Sequence, residues 1–119
     1  MEAPFPKAGG MSALVHQFQT SEEPHGTEII KTTVQIGAVR YRQCSRLFFN
    51  ANGFFLLTKF IFKHYPAIFI PWSMVKECRK SNLFGRKAVQ LELMDSELPS
   101  IRFYENDFKQ NQFYHCNDT

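Results

Sequence analysis

The chain has 119 residues, a formal charge of +3, an apolar fraction of 44 % and 13 phenylalanines. That length suits one domain, and an apolar fraction near the globular average excludes a wholly disordered chain and allows a core without staples. Cys44, Cys78 and Cys116 are odd in number and match no zinc or CxxC redox spacing, which makes a reduced, cytosolic setting the default expectation.

Residues 1–10 hold two prolines and two glycines without an apolar period and read as a flexible tail. The early glutamate and the lack of a continuous apolar stretch argue against a secretory signal. Residues 11–28 read as a short helix and a loop. Ser12 is the expected cap, and Leu14 with Phe18, flanked by Met11 and Val15, makes a narrow apolar stripe. Glu22-Glu23-Pro24-His25-Gly26 forms the loop.

From residue 29 to residue 119 the chain turns β-branched and aromatic, with Gly, Pro and Asn at short intervals, the pattern of a mainly β domain. Residues 29–39 form a first strand region broken near Gly37. In residues 47–58, Phe48-Phe49 and Phe54-Phe55 flank Asn52-Gly53, the pair suited to the positive φ angles of a type I′ turn, and residues 60–62 prolong the second arm. Alternation sends one member of each Phe pair into the core, while the other needs cover from a terminal helix or another subunit. Residues 53–72 are the most apolar stretch. Lys59, Lys63 and His64 interrupt them and Pro66 and Pro71 break them, so a transmembrane helix is rejected.

Ala67-Ile68-Phe69-Ile70 is a short strand between prolines, and residues 74–79 follow as another. Residues 81–85 are a turn. Residues 88–94 alternate, with Val89, Leu91 and Leu93 on one face and Gln90 and Glu92 on the other. In the last strand Ile101 and Phe103 point inward, and Arg102 and Tyr104 away. Asn106 or Asp107 then caps a short C-terminal helix carrying Phe108 and Phe113.

Leu47-Phe48-Phe49-Asn50-Ala51-Asn52-Gly53-Phe54-Phe55-Leu56, followed by Ala67-Ile68-Phe69-Ile70-Pro71-Trp72-Ser73-Met74-Val75-Lys76, resembles the GRAM branch of the pleckstrin-homology-like (PH-like) superfold. His64-Tyr65-Pro66-Ala67-Ile68-Phe69-Ile70-Pro71-Trp72-Ser73, with a short leading helix, resembles a group of small bacterial proteins. The resemblance spans residues 32–108. It implies a mainly β fold, a curved antiparallel barrel or sandwich of about seven strands with a C-terminal helix and here an extra N-terminal one, and it implies no particular activity. Many PH domains bind phosphoinositides through cations of the first hairpin, where this chain has Arg40, Arg42 and Arg46; many other members bind proteins.

The modest total charge hides a segregation. Residues 1–30 carry −3, residues 31–90 carry +10 from eleven cations against Glu77 alone, and residues 91–119 carry −4. Such a basic middle either presents a positive face to an anionic partner or pairs with the acidic ends across a folded sheet. Lys76, Arg79, Lys80, Arg86 and Lys87 crowd one turn, which reads as a phosphate or headgroup site or as a solvated hairpin end. Phe48, Phe54 and Trp72 are candidate interface residues, with core packing the competing reading, the stronger one for Trp72.

No nucleophile elbow, paired carboxylates or phosphate loop accompanies His16, His25, His64 and His115, so no enzyme, cofactor or metal is expected. The aromatic strand Gly53-Phe54-Phe55-Leu56-Leu57 resembles that of an RNA-recognition domain, but that fold needs a βαββαβ order, which disfavours nucleic acid. The expectation is a non-catalytic binding or assembly module for a protein partner or a second copy of itself as a homodimer. The alternative is peripheral binding of anionic membrane headgroups through segment 31–90.

Overall fold

The computed structural model describes residues 10–60 and 62–116, so that of the expected tail, residues 1–10, only Gly10 falls within it. Helix α1 (Met11–Phe18) leads, followed by strands β1 (Thr27–Ile36), β2 (Val39–Asn50), β3 (Gly53–Phe60), β4 (Lys63–His64) and β5 (Ile68–Pro71). A 3₁₀ turn (Trp72–Met74) leads into β6 (Val75–Leu83), β7 (Arg86–Leu93), β8 (Ile101–Tyr104) and helix α2 (Glu105–Phe108).

All strands pair antiparallel in the order β4-β3-β2-β1-β8-β7-β6, with β5 also on β3. Strand β5, which pairs with β3 near one end of this order, and β6, which forms the other end, are joined by three residues only. A linker that short spans roughly 10 Å, so the sheet curls until its edges meet. The mainly β fold, the antiparallel curvature and both terminal helices agree with the sequence reading. The first strand begins at Thr27, two residues inside the expected loop.

Helix α1 buries Met11 and Leu14 and packs Val15 and Phe18 against the core, as its stripe predicts. Its cap differs. Gly10 is the N-cap residue with no side-chain cap, Ser12 lies inside the helix, and the Met11 N–H donates instead to the Tyr41 hydroxyl at 2.8 Å. Helix α2 differs too: Tyr104 precedes it, neither Asn106 nor Asp107 caps it, and Phe113 lies beyond it, exposed. The Asp107 carboxylate accepts a hydrogen bond from the Thr32 hydroxyl rather than from its own helix.

The β2–β3 hairpin is present, but its turn is shifted. Asn50 pairs with Gly53, leaving Ala51 and Asn52 as the loop, and none of the positive φ angles falls there. Asn50 Oδ1 instead accepts from the N–H of Asn52 at 2.8 Å and of Gly53 at 3.2 Å, an Asx turn that closes the loop without left-handed residues. Gly53 serves close approach: a Cβ there would lie 2.2 Å from the Ile70 carbonyl oxygen on β5. The two-residue turn with positive φ is at β6–β7, where Phe84 has φ 51° and Gly85 φ 74°.

Phe49 pairs with Phe54 on the inner face, where both rings are fully buried and contact the buried Phe103 and the half-buried Trp72. Phe48 pairs with Phe55 on the outer face. Cover for these two comes from a neighbouring strand, a loop and an arginine. Phe69 of β5 lies 4.6 Å and His25 of the α1–β1 loop 5.4 Å from the Phe55 ring, and the Arg46 guanidinium lies 5.1 Å from the Phe48 ring. All four phenylalanines are thereby buried within one chain.

Candidate functional site

Alternation along β2 turns Tyr41 inward, buried, and Arg40 and Arg42 outward. The β6–β7 turn brings Phe84 to them: the Arg40 and Arg42 guanidinium carbons lie 5.2 and 4.8 Å from its ring centroid. Phe84 remains 43 % exposed. Arg86, two residues on, stacks at 4.0 Å on Tyr104 of β8 and borders a hollow of about 170 Å³ shared with Lys31, Gln43 and Asp107.

The register extends this arginine face. Arg40 pairs with Gln35 on β1, Gln35 with Arg102 on β8, Arg102 with Gln90 on β7, and Gln90 with Arg79 on β6. Five strands thus present a transverse row alternating arginine and glutamine. Arg40 Nε donates to Gln35 Oε1 at 3.1 Å; Arg102 donates to Gln90 Oε1 through Nε at 3.1 Å and Nη2 at 2.6 Å, and through Nη1 to the Asn82 carbonyl at 2.9 Å. Gln90 Nε2 in turn donates to Glu92 Oε2 at 2.5 Å. Beside the row lies a cleft of about 510 Å³, bordered by Lys76, Arg79 and Arg102 with Glu77 and Glu92.

The eight candidate cations therefore divide. Arg40, Arg42 and Arg86 rest on aromatic rings near the β6–β7 turn. Lys76 and Arg79 border the cleft, where Arg79 meets Glu77 at 3.4 Å. Arg46 stands apart on the aromatic half, donating through Nε at 2.8 Å and Nη2 at 2.5 Å to Glu28. Lys80 points to the helix side and donates to Glu105 at 2.6 Å, with Lys87 across a hollow of about 370 Å³. That hydrogen bond, opposing burial, holds the Glu105 carboxyl below its ordinary range; the charges of Lys80, Lys109 and Lys87 add to it.

Of the candidate interface residues, Phe54 is wholly core and offers no surface. Phe48 is 8 % exposed beneath Arg46. Trp72 is half-buried, donating its Nε1–H to the Asn50 carbonyl at 2.9 Å and stacking on Tyr114 at 5.0 Å. The sequence reading missed Gln35, Phe84, Gln90 and Arg102 as members of the face, because cross-strand register alone assembles them.

The cysteines require a correction. Cys78 of β6 is bonded to Cys116, leaving Cys44 as the free thiol, so the expectation of three reduced cysteines does not hold. Burial raises the Cys44 thiol and the Tyr41 hydroxyl above their ordinary ranges. Among the described residues no helix is long and apolar enough to cross a membrane. No protein-family model, curated protein or solved structure matches the chain.

Proposed function

We propose that the chain is a non-catalytic binding module of the PH-like type, whose partner is an acidic segment of another protein held on the arginine–aromatic face around Phe84. The observation that carries this reading is Phe84, a bulky residue with φ 51° at a hairpin tip, 43 % exposed and flanked by two arginines. A left-handed conformation costs such a residue about 1 kcal/mol, and strain kept on a surface turn points to a role for the side chain. Exposed aromatics among arginines are also the composition of interface hot spots.

The chemistry suits carboxylates. A guanidinium lying on a ring keeps most of its in-plane N–H donors for an anion, whereas Arg46 and Lys80 already spend theirs on Glu28 and Glu105. The PH-like assignment is supported by the curled antiparallel sheet followed by a C-terminal helix. An apolar tip ringed by cations also favours a second reading, peripheral binding to anionic headgroups.

Fluorescence anisotropy with a labelled polyglutamate peptide, and polylysine as control, tests the proposal on the parent chain, Phe84→Asn and the double variant R40A/R42A. Asn-Gly is the better type I′ pair, so Phe84→Asn should keep or raise stability while weakening peptide binding about tenfold, or 1.4 kcal/mol. The double variant should lose binding, and added salt should weaken it in the parent. Equal binding by all three proteins, or equal affinity for polylysine, overturns the reading. Flotation with phosphatidylserine but not phosphatidylcholine vesicles, without peptide binding, transfers it to membranes.

A further inference from the structure

Beyond α2 the chain folds back over the barrel. Asn111, buried, ties the bend: its Nδ2 donates to the Phe108 carbonyl at 2.6 Å, and its Oδ1 accepts from the N–H of Phe113 at 2.8 Å and Tyr114 at 2.7 Å. Tyr114 then stacks on Trp72 at 5.0 Å with the rings inclined by 20°, and Cys116 is bonded to Cys78. Under this segment sit Trp72 and Phe108, themselves in edge contact at 6.4 Å. A hollow of about 430 Å³, bordered by Lys80, Lys109, His115 and Cys116, opens beside the disulfide.

The geometry points to a redox-releasable cover: residues 109–116 are a strap that the Cys78–Cys116 bond keeps seated on the Trp72–Phe108 surface, and a dithiol reductant frees it. The sheet does not depend on the strap for its pairing, since β6 is hydrogen-bonded to β7 along its length. The two sulfurs are unequal: Cys78 is 8 % exposed, while Cys116 is half-buried at the hollow. A thiolate entering there passes Lys109 and the Lys80–Glu105 ion pair and attacks Cys116 Sγ, breaking the S–S bond and expelling Cys78 as thiolate, which takes up a proton. The second thiol of the reagent then attacks the mixed disulfide and releases Cys116. Two electrons and two protons pass to the protein, and the reagent leaves as its cyclic disulfide.

Once the bond is open, the Asn111 bend and the Tyr114–Trp72 stack are left to hold the strap, and an aromatic surface formerly covered becomes accessible. Limited trypsin digestion, followed by mass spectrometry at the Lys109–Gln110 bond, measures the release on the full chain with and without dithiothreitol. Reduction should speed that cleavage about tenfold, as expected when about 1.4 kcal/mol of closing free energy is lost, with cuts elsewhere and the far-ultraviolet spectrum unchanged. Cys116→Ser should behave as the reduced chain in either condition. Tyr114→Ala, left oxidised, should shift Trp72 emission without gaining cleavage. A change under twofold on reduction overturns the inference, because the seat then holds without the bond. General digestion with loss of the β-sheet spectrum on reduction also overturns it, because the disulfide then staples the whole fold.

Discussion

Strand β2 carries two unlike outer surfaces. Toward its C-terminal end Phe48 and its partner Phe55 are covered by groups of the same chain, and the one cation there, Arg46, is neutralised by Glu28. Toward its N-terminal end Arg40 and Arg42 lean on Phe84, and in the neighbouring row Arg40 and Arg102 are answered by glutamine amides, a carboxylate meeting only Arg79 at the far end. The first half satisfies itself. The second keeps charge and aromatic surface available, which is why the proposed partner site lies there although the aromatic residues are concentrated in the other half. Outer-face phenylalanines that argued for a second subunit in the sequence are already covered in the monomer.

The largest way to break the comparison is Phe54→Ala. It removes a fully buried ring in contact with Phe49, Trp72 and Phe103, and should cost about 3–5 kcal/mol in chemical denaturation. If the cost were under about 1 kcal/mol, the aromatic half would not be the core that the packing describes.

A smaller effect is expected in acid. Glu105 is held below its ordinary range by Lys80, so its ion pair stabilises the fold above the unfolded-state pKa and is lost as pH falls through the folded-state value. The parent chain should therefore lose stability on acidification in excess of a Lys80→Met variant, and matching curves would remove that pair from the account. The smallest effect is that of Arg46→Ala. Its pair with Glu28 is half exposed on the arginine side and should be worth about 0.2–1 kcal/mol, less at high salt. Peptide binding should be unaffected, since Arg46 stands on the self-satisfied half; a loss equal to that of R40A/R42A would erase the distinction between the halves.

Much of the fold was legible because period-2 alternation is local. Val89, Leu91 and Leu93 inward against Gln90 and Glu92 outward, and Ile101 and Phe103 inward against Arg102 and Tyr104, follow from sequence and hold in the sheet. Turn placement was legible only within a residue. Asn52-Gly53 looked like the left-handed pair, yet the Asn50 side chain closes the loop one residue earlier, and the left-handed pair proved to be Phe84-Gly85. Phe in that position has no sequence signal, because its conformation is imposed by the pairing of Leu83 with Arg86.

The candidate site was far less legible than the fold. Bulges in β1 and β2 decide which residues share a face: between Ile29 and Thr32, β1 advances three residues while β2 advances two, and Lys31 and Gln43 take φ of 50° and 55°. No spacing rule in the sequence foretells those slips. The disulfide was hidden for the same kind of reason, since Cys78 and Cys116 are 38 residues apart and meet only because the chain turns back after α2.

By itself, then, the sequence determined a mainly β fold, its alternating strands, a helix before and after them and a basic middle flanked by acidic segments, all properties of short-range pattern and composition. Tertiary structure alone decided which arginines meet an aromatic ring and which meet a carboxylate, and it alone closed the strap over Trp72. Those outcomes depend on register between strands distant in sequence, and register is set by the packing of the whole sheet.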